Sequence, residues 1–243
     1  MRSLYLKEIT GFFSSITGYI VVIVFLVVNG LFIWVFPGEM NVLDAGYASL
    51  DTLFFIAPWV FLFLIPAITM RSFAEEKKSG NLDLLRTRPL SEFQIILAKY
   101  FAAISVAVIA ILPTLVFYFS LVLLGNPVGN IDSGGTFGSY LGLFLLAAIY
   151  VSIGIFASSL TENTIAAFVI SVLLCFFLYQ GFNSVGYLSL TGKTGNFILN
   201  LGIDAHFKSM QRGVIDSRDL VYFLSVIILF LLFTKTKLRS HNW

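Results

Sequence analysis

Charged residues are scarce in this sequence of 243 residues, and their scarcity excludes most classes of soluble protein. Asp, Glu, Lys and Arg make up only 12% of the chain, whereas hydrophobic residues make up 58% and include 26 Phe. Soluble domains carry roughly 25% charged residues. The net charge of +2 is too small to indicate a nucleic-acid partner, and no basic patch with interleaved aromatic residues occurs. The composition indicates a polytopic membrane protein.

Cysteine and histidine are also nearly absent, which limits the available chemistry. The single cysteine, Cys175, lies in the apolar run 168–178, so neither a disulfide framework nor a cysteine-based metal site is available. The topology derived below places His206 and His241 on opposite sides of the membrane, which excludes a metal site built from both. No constellation for hydrolysis occurs either, so we expect a chain without catalytic, metal-binding or cofactor-binding residues.

One segment imitates a nucleotide-binding motif. Gly192, Lys193 and Thr194 resemble the end of a phosphate-binding loop, but the glycine required five residues before Gly192 is replaced by Tyr187. The chain is therefore not expected to bind or hydrolyse ATP by itself.

Long apolar runs predict an all-α fold with six transmembrane helices. Residues 1–18 alternate polar and apolar groups at helical spacing and predict an interfacial helix, although a simple cytosolic tail is the alternative. Residues 181–219 are too apolar for a free loop and too interrupted by glycine for a span, which favours two short re-entrant or interfacial helices. The predicted spans are 19–36, 53–70, 100–124, 138–158, 164–180 and 220–233.

Polar and helix-breaking residues are unevenly placed in these spans. Pro58 and Pro66 should kink or locally unwind the second span. No Asp, Glu, Lys, Arg or His falls inside any predicted span, which argues against a proton-coupled carrier. Lys99, just before the third span, has a side chain that is able to extend toward the lipid headgroups. Gly138 and Gly142 have the spacing that allows close helix packing.

The distribution of basic residues predicts the orientation. With the amino terminus inside, eleven of the fifteen Lys and Arg lie in inner segments, and only Lys193, Lys208, Arg212 and Arg218 lie outside. Both termini and residues 71–99 are therefore expected to be cytoplasmic.

Residues 71–99 form a charged island between two apolar spans. The second span should continue as helix until Ser79 and Gly80 break it, and Asn81 should cap a short helix that ends near Pro89. Ser91 with Gln94 three residues later predicts a capping box at the start of the third span. The short helix presents leucines bordered by charges, which suits either a docking face or a solvated loop whose leucines touch the lipid surface.

The island carries a family resemblance. Residues 73–90 read FAEEKKSGNLDLLRTRPL and resemble the F-x-E-E-x-x-x-G-T-L-E-L-L-x-T-x-P pattern that follows the second span of ABC-2-type exporter permeases. Asn81 replaces the usual Thr of that pattern, and Asp83 replaces the usual Glu. Residues 206–207, 212–216 and 219–223 before the last span also resemble that family. Within it, the size and sequence are most similar to the gliding-motility-associated ABC transporter permease subunit.

This resemblance implies a type V exporter-like fold, a partner and a docking site. The partner is a separate cytosolic ABC ATPase that binds ATP and Mg²⁺, together with a second permease-type membrane subunit or a second copy of this chain. Glu75 and Glu76 would pair with basic groups on the ATPase or on the amino-terminal helix. The implied coupling helix would dock on the ATPase through Leu82, Asp83, Leu84, Leu85, Arg86 and Arg88.

Three functional hypotheses follow. The first is an ABC-2 permease subunit of the bacterial inner membrane, acting in export or in a gliding-motility-associated complex. The second is a mechanical transmitter or assembly anchor that uses the ATPase cycle without moving a substrate, motivated by the long outer connection 181–219. The third is a membrane scaffold that has no ATPase partner. The sequence specifies neither a substrate nor a homodimer or heterodimer.

Overall fold

A computed structural model describes residues 1–81, 91–188 and 199–240. These residues form a bundle of helices, and no strand occurs among them. A 3₁₀ turn occurs at Leu112–Thr114 and a π-helical turn at Phe177–Gly181. The helices are α1 (Arg2–Ser14), α2 (Ile16–Trp34), α3 (Val42–Ala45), α4 (Asp51–Thr69), α5 (Arg71–Lys78), α6 (Glu92–Ile111), α7 (Leu115–Leu124), α8 (Ser133–Leu160), α9 (Thr164–Phe176), α10 (Phe182–Leu188), α11 (Ile203–Gln211) and α12 (Ser217–Ser240).

Six helical segments of the described chain are long and apolar enough to cross a membrane, which confirms the predicted all-α fold with six spans. Of the two short helices expected in 181–219, the described residues show α11, whereas α10 continues the fifth span, which extends to Gly186. The six segments are Ile16–Trp34, Asp51–Lys78, Glu92–Leu124, Ser133–Leu160, Thr164–Gly186 and Ser217–Arg239.

The centre of the bundle is α8. Its apolar window is 83% buried, against 61% for Asp51–Lys78 and 33% or less for the other segments. Helix α8 packs against α4, α5, α6, α9, α11 and α12. Because lipid is as apolar as a leucine side chain, these contacts stabilise the bundle through close van der Waals packing and not through burial from water.

Small residues on α8 allow α11 to approach its backbone. A Cβ atom added at Gly138 would lie 2.4 Å from the carbonyl oxygen of Met210, and one added at Gly142 would lie 3.1 Å from the ring of Phe207. The predicted close packing at these glycines is therefore confirmed, and its partner is the short helix α11.

Helix α1 belongs to the bundle and is not a free tail. It packs along α6 and α2, Leu4 is buried, and the Tyr5 hydroxyl lies 2.8 Å from the Ser105 hydroxyl. We call the end of the bundle that holds α1, α5 and the turn after α8 the α1 end. The opposite end holds α3, α10 and α11.

Several helix ends match their sequence signals. Ser91 and Gln94 form the predicted capping box of α6, and the Asn163 side chain caps α9. Helix α5 ends at Lys78, and Gly80 adopts a left-handed conformation with φ of 70°, which favours glycine.

The prolines behave differently from one another. Helix α4 continues through Pro58 and Pro66, so the local unwinding considered for these positions does not occur. The helix is instead interrupted by a turn at Met70, between α4 and α5. Pro113 lies within the 3₁₀ turn between α6 and α7, since a proline offers no N–H for the α-helical hydrogen bond.

Candidate functional site: a charged hub at the α1 end

Three charged side chains from three helices meet at the α1 end. Lys99 of α6 is only 2% exposed, and its Nζ donates to Glu8 Oε1 of α1 at 2.9 Å and to Glu76 Oε1 of α5 at 2.8 Å. The Nζ also lies 5.3 Å from the ring centroid of Phe73, a cation–π distance. We call Glu8, Glu76 and Lys99 the hub.

Lys99 does not extend toward the headgroups. Its side chain points into the bundle because two carboxylates reach it from α1 and α5. A buried ammonium is costly unless it is paired and hydrogen-bonded, and the hub meets both conditions. In the sequence, Lys99 is 91 residues from Glu8 and 23 residues from Glu76. No local sequence pattern therefore predicts these ion pairs.

The hub holds two carboxylates and one ammonium, so its formal charge is negative. The second oxygen of Glu76, Oε2, is buried and has no hydrogen-bond partner among the described residues. An unpaired carboxylate oxygen at this depth favours a further hydrogen-bond donor or cation.

A cavity of about 520 Å³ adjoins the hub between α1, α5 and α6. Three basic and three acidic side chains line it, so its lining carries both charge signs. The lining residues are Lys7, Glu8, Phe12, Ile68, Arg71, Ser72, Glu75, Glu76, Ser79, Asn81 and Lys99.

The predicted site residues fall into two groups. Glu75 is exposed and lines the cavity, whereas Glu76 turns inward to Lys99. Asn81, the last described residue before the gap, also lines the cavity. The predicted coupling helix lies outside the described residues, and with it the docking residues Leu82, Asp83, Leu84, Leu85, Arg86 and Arg88.

Helix α5 is fixed to the central helix by a residue that sequence reasoning missed. The Ser158 hydroxyl of α8 accepts hydrogen bonds from the backbone N–H groups of Phe73 at 2.9 Å and Ala74 at 3.0 Å, and it donates to the Met70 carbonyl at 2.9 Å. Lys77 Nζ donates to the carbonyl oxygen of Ser159. A serine in a glycine- and alanine-rich span gives no sign of its partner, because that partner is the backbone of another helix.

The opposite end carries a separate polar cluster, part of which lies in the segments that carried the family resemblance. His206 Nδ1 lies 2.7 Å from Asp219 Oδ1, and Nε2 lies 2.8 Å from the carbonyl oxygen of Asn200. Both partners are acceptors, so the two ring nitrogens can donate together only in the imidazolium form. The ring also stacks on Tyr222, with centroids 3.9 Å apart. This cluster fastens α11 to the start of α12.

A second interaction at the opposite end fastens α11 to α10. Asp204 is 5% exposed, and its Oδ2 accepts from Asn183 Nδ2 at 2.6 Å and from Lys208 Nζ at 2.7 Å. No group of three residues suited to holding a metal ion occurs in the described part of the chain.

Fold and site together define a multi-pass helical membrane protein whose charged hub joins three helices at one end. The family model described as ABC-2 family transporter protein matches residues 40–198. That match covers more than half of the chain, so the chain belongs to the ABC-2 family of transporter proteins. A comparison with curated proteins gave no significant match. Members of this family are generally non-catalytic membrane components of ABC transporters, and membership implies an ABC ATPase partner.

Proposed function

We propose that this chain is a permease subunit on which a separate cytosolic ABC ATPase docks at the α1 end, with ATP and Mg²⁺ bound by that ATPase. One observation carries the proposal. The hub ties α1, α5 and α6 together beside a charged cavity, and Asn81, which directly precedes the predicted coupling helix in the sequence, lines that cavity.

The two acidic residues of α5, Glu75 and Glu76, have different roles. Glu76 is held by Lys99, so it orients α5 within the bundle. Glu75 is exposed, and we assign it the contact with basic groups of the ATPase. The docking face itself is the coupling helix, with Leu82, Leu84 and Leu85 as its apolar patch and Asp83, Arg86 and Arg88 as its charged border.

The charge distribution supports a cytoplasmic location for the α1 end. Eleven of the fifteen Lys and Arg lie in segments assigned to that side. Both termini and the island then lie on the cytosolic side of a bacterial inner membrane, where an ATPase has access to them.

The mechanism is a two-state transition. ATP closes an ATPase dimer, the docked coupling helices move with it, and the spans of two permease subunits tilt against each other. The second subunit is another copy of this chain or a related permease. On the sequence similarity stated above, the complex acts in export or in gliding motility.

Co-purification with the cognate ABC ATPase tests the docking surface. We expect Leu84→Asp and Glu75→Lys to abolish the complex, because they place charge in an apolar patch and reverse a contact charge. Glu39→Lys, an exposed charge reversal at the opposite end, is the matched control and should leave the complex intact. Glu76→Lys is less informative, since it places a second ammonium beside Lys99 and disturbs the fold itself. Retention of the ATPase by both docking variants contradicts the assignment.

A mechanical role without transport is the second candidate. The observation that favours it is the well-anchored outer element α11, which is hydrogen-bonded to α10 and α12 and packed against the glycines of α8. Such an element can carry motion to an outer partner. Reconstitution in vesicles separates the two roles, because ATP-dependent efflux of a substrate excludes a purely mechanical function.

A further inference from the structure

Helix α5 follows α4 after a one-residue break at Met70. Met70 keeps helical backbone angles and donates its N–H to the Pro66 carbonyl, but its side chain makes no capping hydrogen bond for α5. The first backbone N–H groups of any helix lack partners within the helix, and they are normally satisfied by a Ser, Thr, Asp or Asn at the N-cap. The sequence of α5 supplies none of these at Met70.

Ser158 of α8 supplies the missing cap from another helix. Its oxygen accepts from Phe73 N and Ala74 N, which are the third and fourth residues of α5, and its hydroxyl proton goes to the Met70 carbonyl. A hydroxyl group has one proton and two lone pairs. All of its hydrogen-bonding capacity is therefore used at the α4–α5 junction, and its side chain is fully buried there.

Two neighbouring contacts also bring α8 close to the junction between α4 and α5. A Cβ atom at Gly154 would lie 2.0 Å from Thr69 Oγ1, so only glycine lets the end of α4 come this close to α8. At the other end of α5, Lys77 Nζ bonds the Ser159 carbonyl. Helix α5 is thus held to α8 at both of its ends.

We propose that Ser158 is a positioning residue that caps α5 in trans and joins α5 and the end of α8 into one rigid unit, with Met70 as the joint to α4. The consequence of this proposal rests on the proposed function. Movement of the docked coupling helix would pass through α5 to α8, the central helix. The hydroxyl is the required group, because only an oxygen at this place satisfies two N–H donors and one carbonyl acceptor together.

The capping role is tested on the isolated chain, without any ATPase. Spin labels are placed at Lys78→Cys in α5 and Glu162→Cys in the turn after α8, both exposed positions, with the native thiol removed by Cys175→Ala. Distance distributions are measured for Ser158→Ala, Ser158→Thr and Ser158→Val. We expect Ala and Val to broaden the distribution and Thr, which keeps the hydroxyl, to restore the narrow one.

Thr and Val have nearly the same shape. A difference between the Ser158→Thr and Ser158→Val distance distributions therefore reports the hydroxyl group and not the size of the side chain. Equal distributions for Thr and Val overturn the proposal. If Val prevents folding, the comparison of Ala with Thr carries the same test. Ser159→Ala is the control, since its hydroxyl donates to Phe156 O within its own helix, and it should leave the distribution unchanged.

The consequence is tested in the assembled complex. We expect Ser158→Ala to bind the ATPase as wild type does but to reduce ATP-driven movement at the opposite end, measured with labels at Glu39 and Arg212, about tenfold. Ser158→Thr should recover it. If ATP-driven movement at the opposite end is as large in Ser158→Ala as in the wild type, the proposed transmission through α5 and α8 is overturned. A wild-type chain that fails to bind any ATPase overturns the proposed function instead, and the measurement on the isolated chain still decides the capping.

Discussion

At the scale of single residues, Lys99 is stable inside the bundle because two carboxylates reach it. Glu8 and Glu76 are 17% and 16% exposed and bring the negative charge that a 2% exposed ammonium requires. Removing one partner of a buried charge pair costs far more than the pair contributes, since the remaining charge is left uncompensated.

Replacing Lys99 with Met should therefore destabilise the protein. Glu8 and Glu76 would then face each other without a cation, and we expect a loss of about 3 kcal/mol, or a fall in melting temperature of about 8 °C in detergent. Lys7→Met, an exposed lysine on α1, should change the melting temperature by less than about 2 °C. Recovery in the triple variant Lys99→Met, Glu8→Gln, Glu76→Gln would show that charge is the cause. An unchanged melting temperature in Lys99→Met contradicts the hub.

Gly154 sets the distance between α4 and α8. Gly154→Ala should cost about 1–3 kcal/mol, because its Cβ would overlap Thr69, with 2.0 Å to Oγ1 and 2.8 Å to Cβ. The control is Gly11→Ala, where a Cβ meets nothing within 4 Å and a helical alanine is favourable. Thermal unfolding of both variants checks the prediction, and equal stability of the two would refute it.

At the scale of elements, the helix ends were predictable and their tertiary partners were not. The capping box at Ser91 and the break at Gly80 depend on residues within a few positions of each other. The pairing of Lys99 and the capping by Ser158 depend on helices far apart in the sequence. Local patterns cannot report such contacts, and the position of Lys99 just before an apolar span indicated only that its side chain is able to reach the headgroups.

The anchoring of α11 gives a prediction at this scale. His206→Ala removes both ring hydrogen bonds and the stack on Tyr222, so α11 should loosen from α12. Hydrogen exchange in peptides covering 203–211 should rise about tenfold, which corresponds to roughly 1.4 kcal/mol of local stability. Arg212→Ala, an exposed change at the end of α11, should leave exchange unchanged. Unchanged exchange in His206→Ala would mean that the cluster does not hold α11.

At the scale of the whole molecule, six spans place the hub and the α11 cluster at opposite ends of the bundle. A membrane-impermeant thiol reagent on intact spheroplasts tests the orientation. In a Cys175→Ala background, we expect single cysteines at the exposed positions Glu39 and Arg212 to react, and those at Lys78 and Glu162 to react only after the membrane is permeabilised. The reverse pattern would invert the topology and remove the ATPase from the α1 end.

The division between the two ends is consistent with the proposed function, in which an energy-supplying partner binds one end and the other end faces outward. The hub, the cavity and the Ser158 cap all lie at the α1 end and converge on α5 and α8. Helix α8 runs from there to the glycines that contact α11. A single buried helix therefore connects the proposed docking site with the opposite face.

Site-specific photo-crosslinking in cells tests the central claim most directly. A photoreactive amino acid is placed at Ser79, an exposed residue beside the cavity, or at Arg212, at the opposite end, and crosslinked partners are identified by mass spectrometry. We predict that position 79 captures an ABC ATPase and that position 212 does not. Capture of the ATPase from position 212, or no ATPase from position 79 in a folded and expressed chain, would contradict docking at the α1 end.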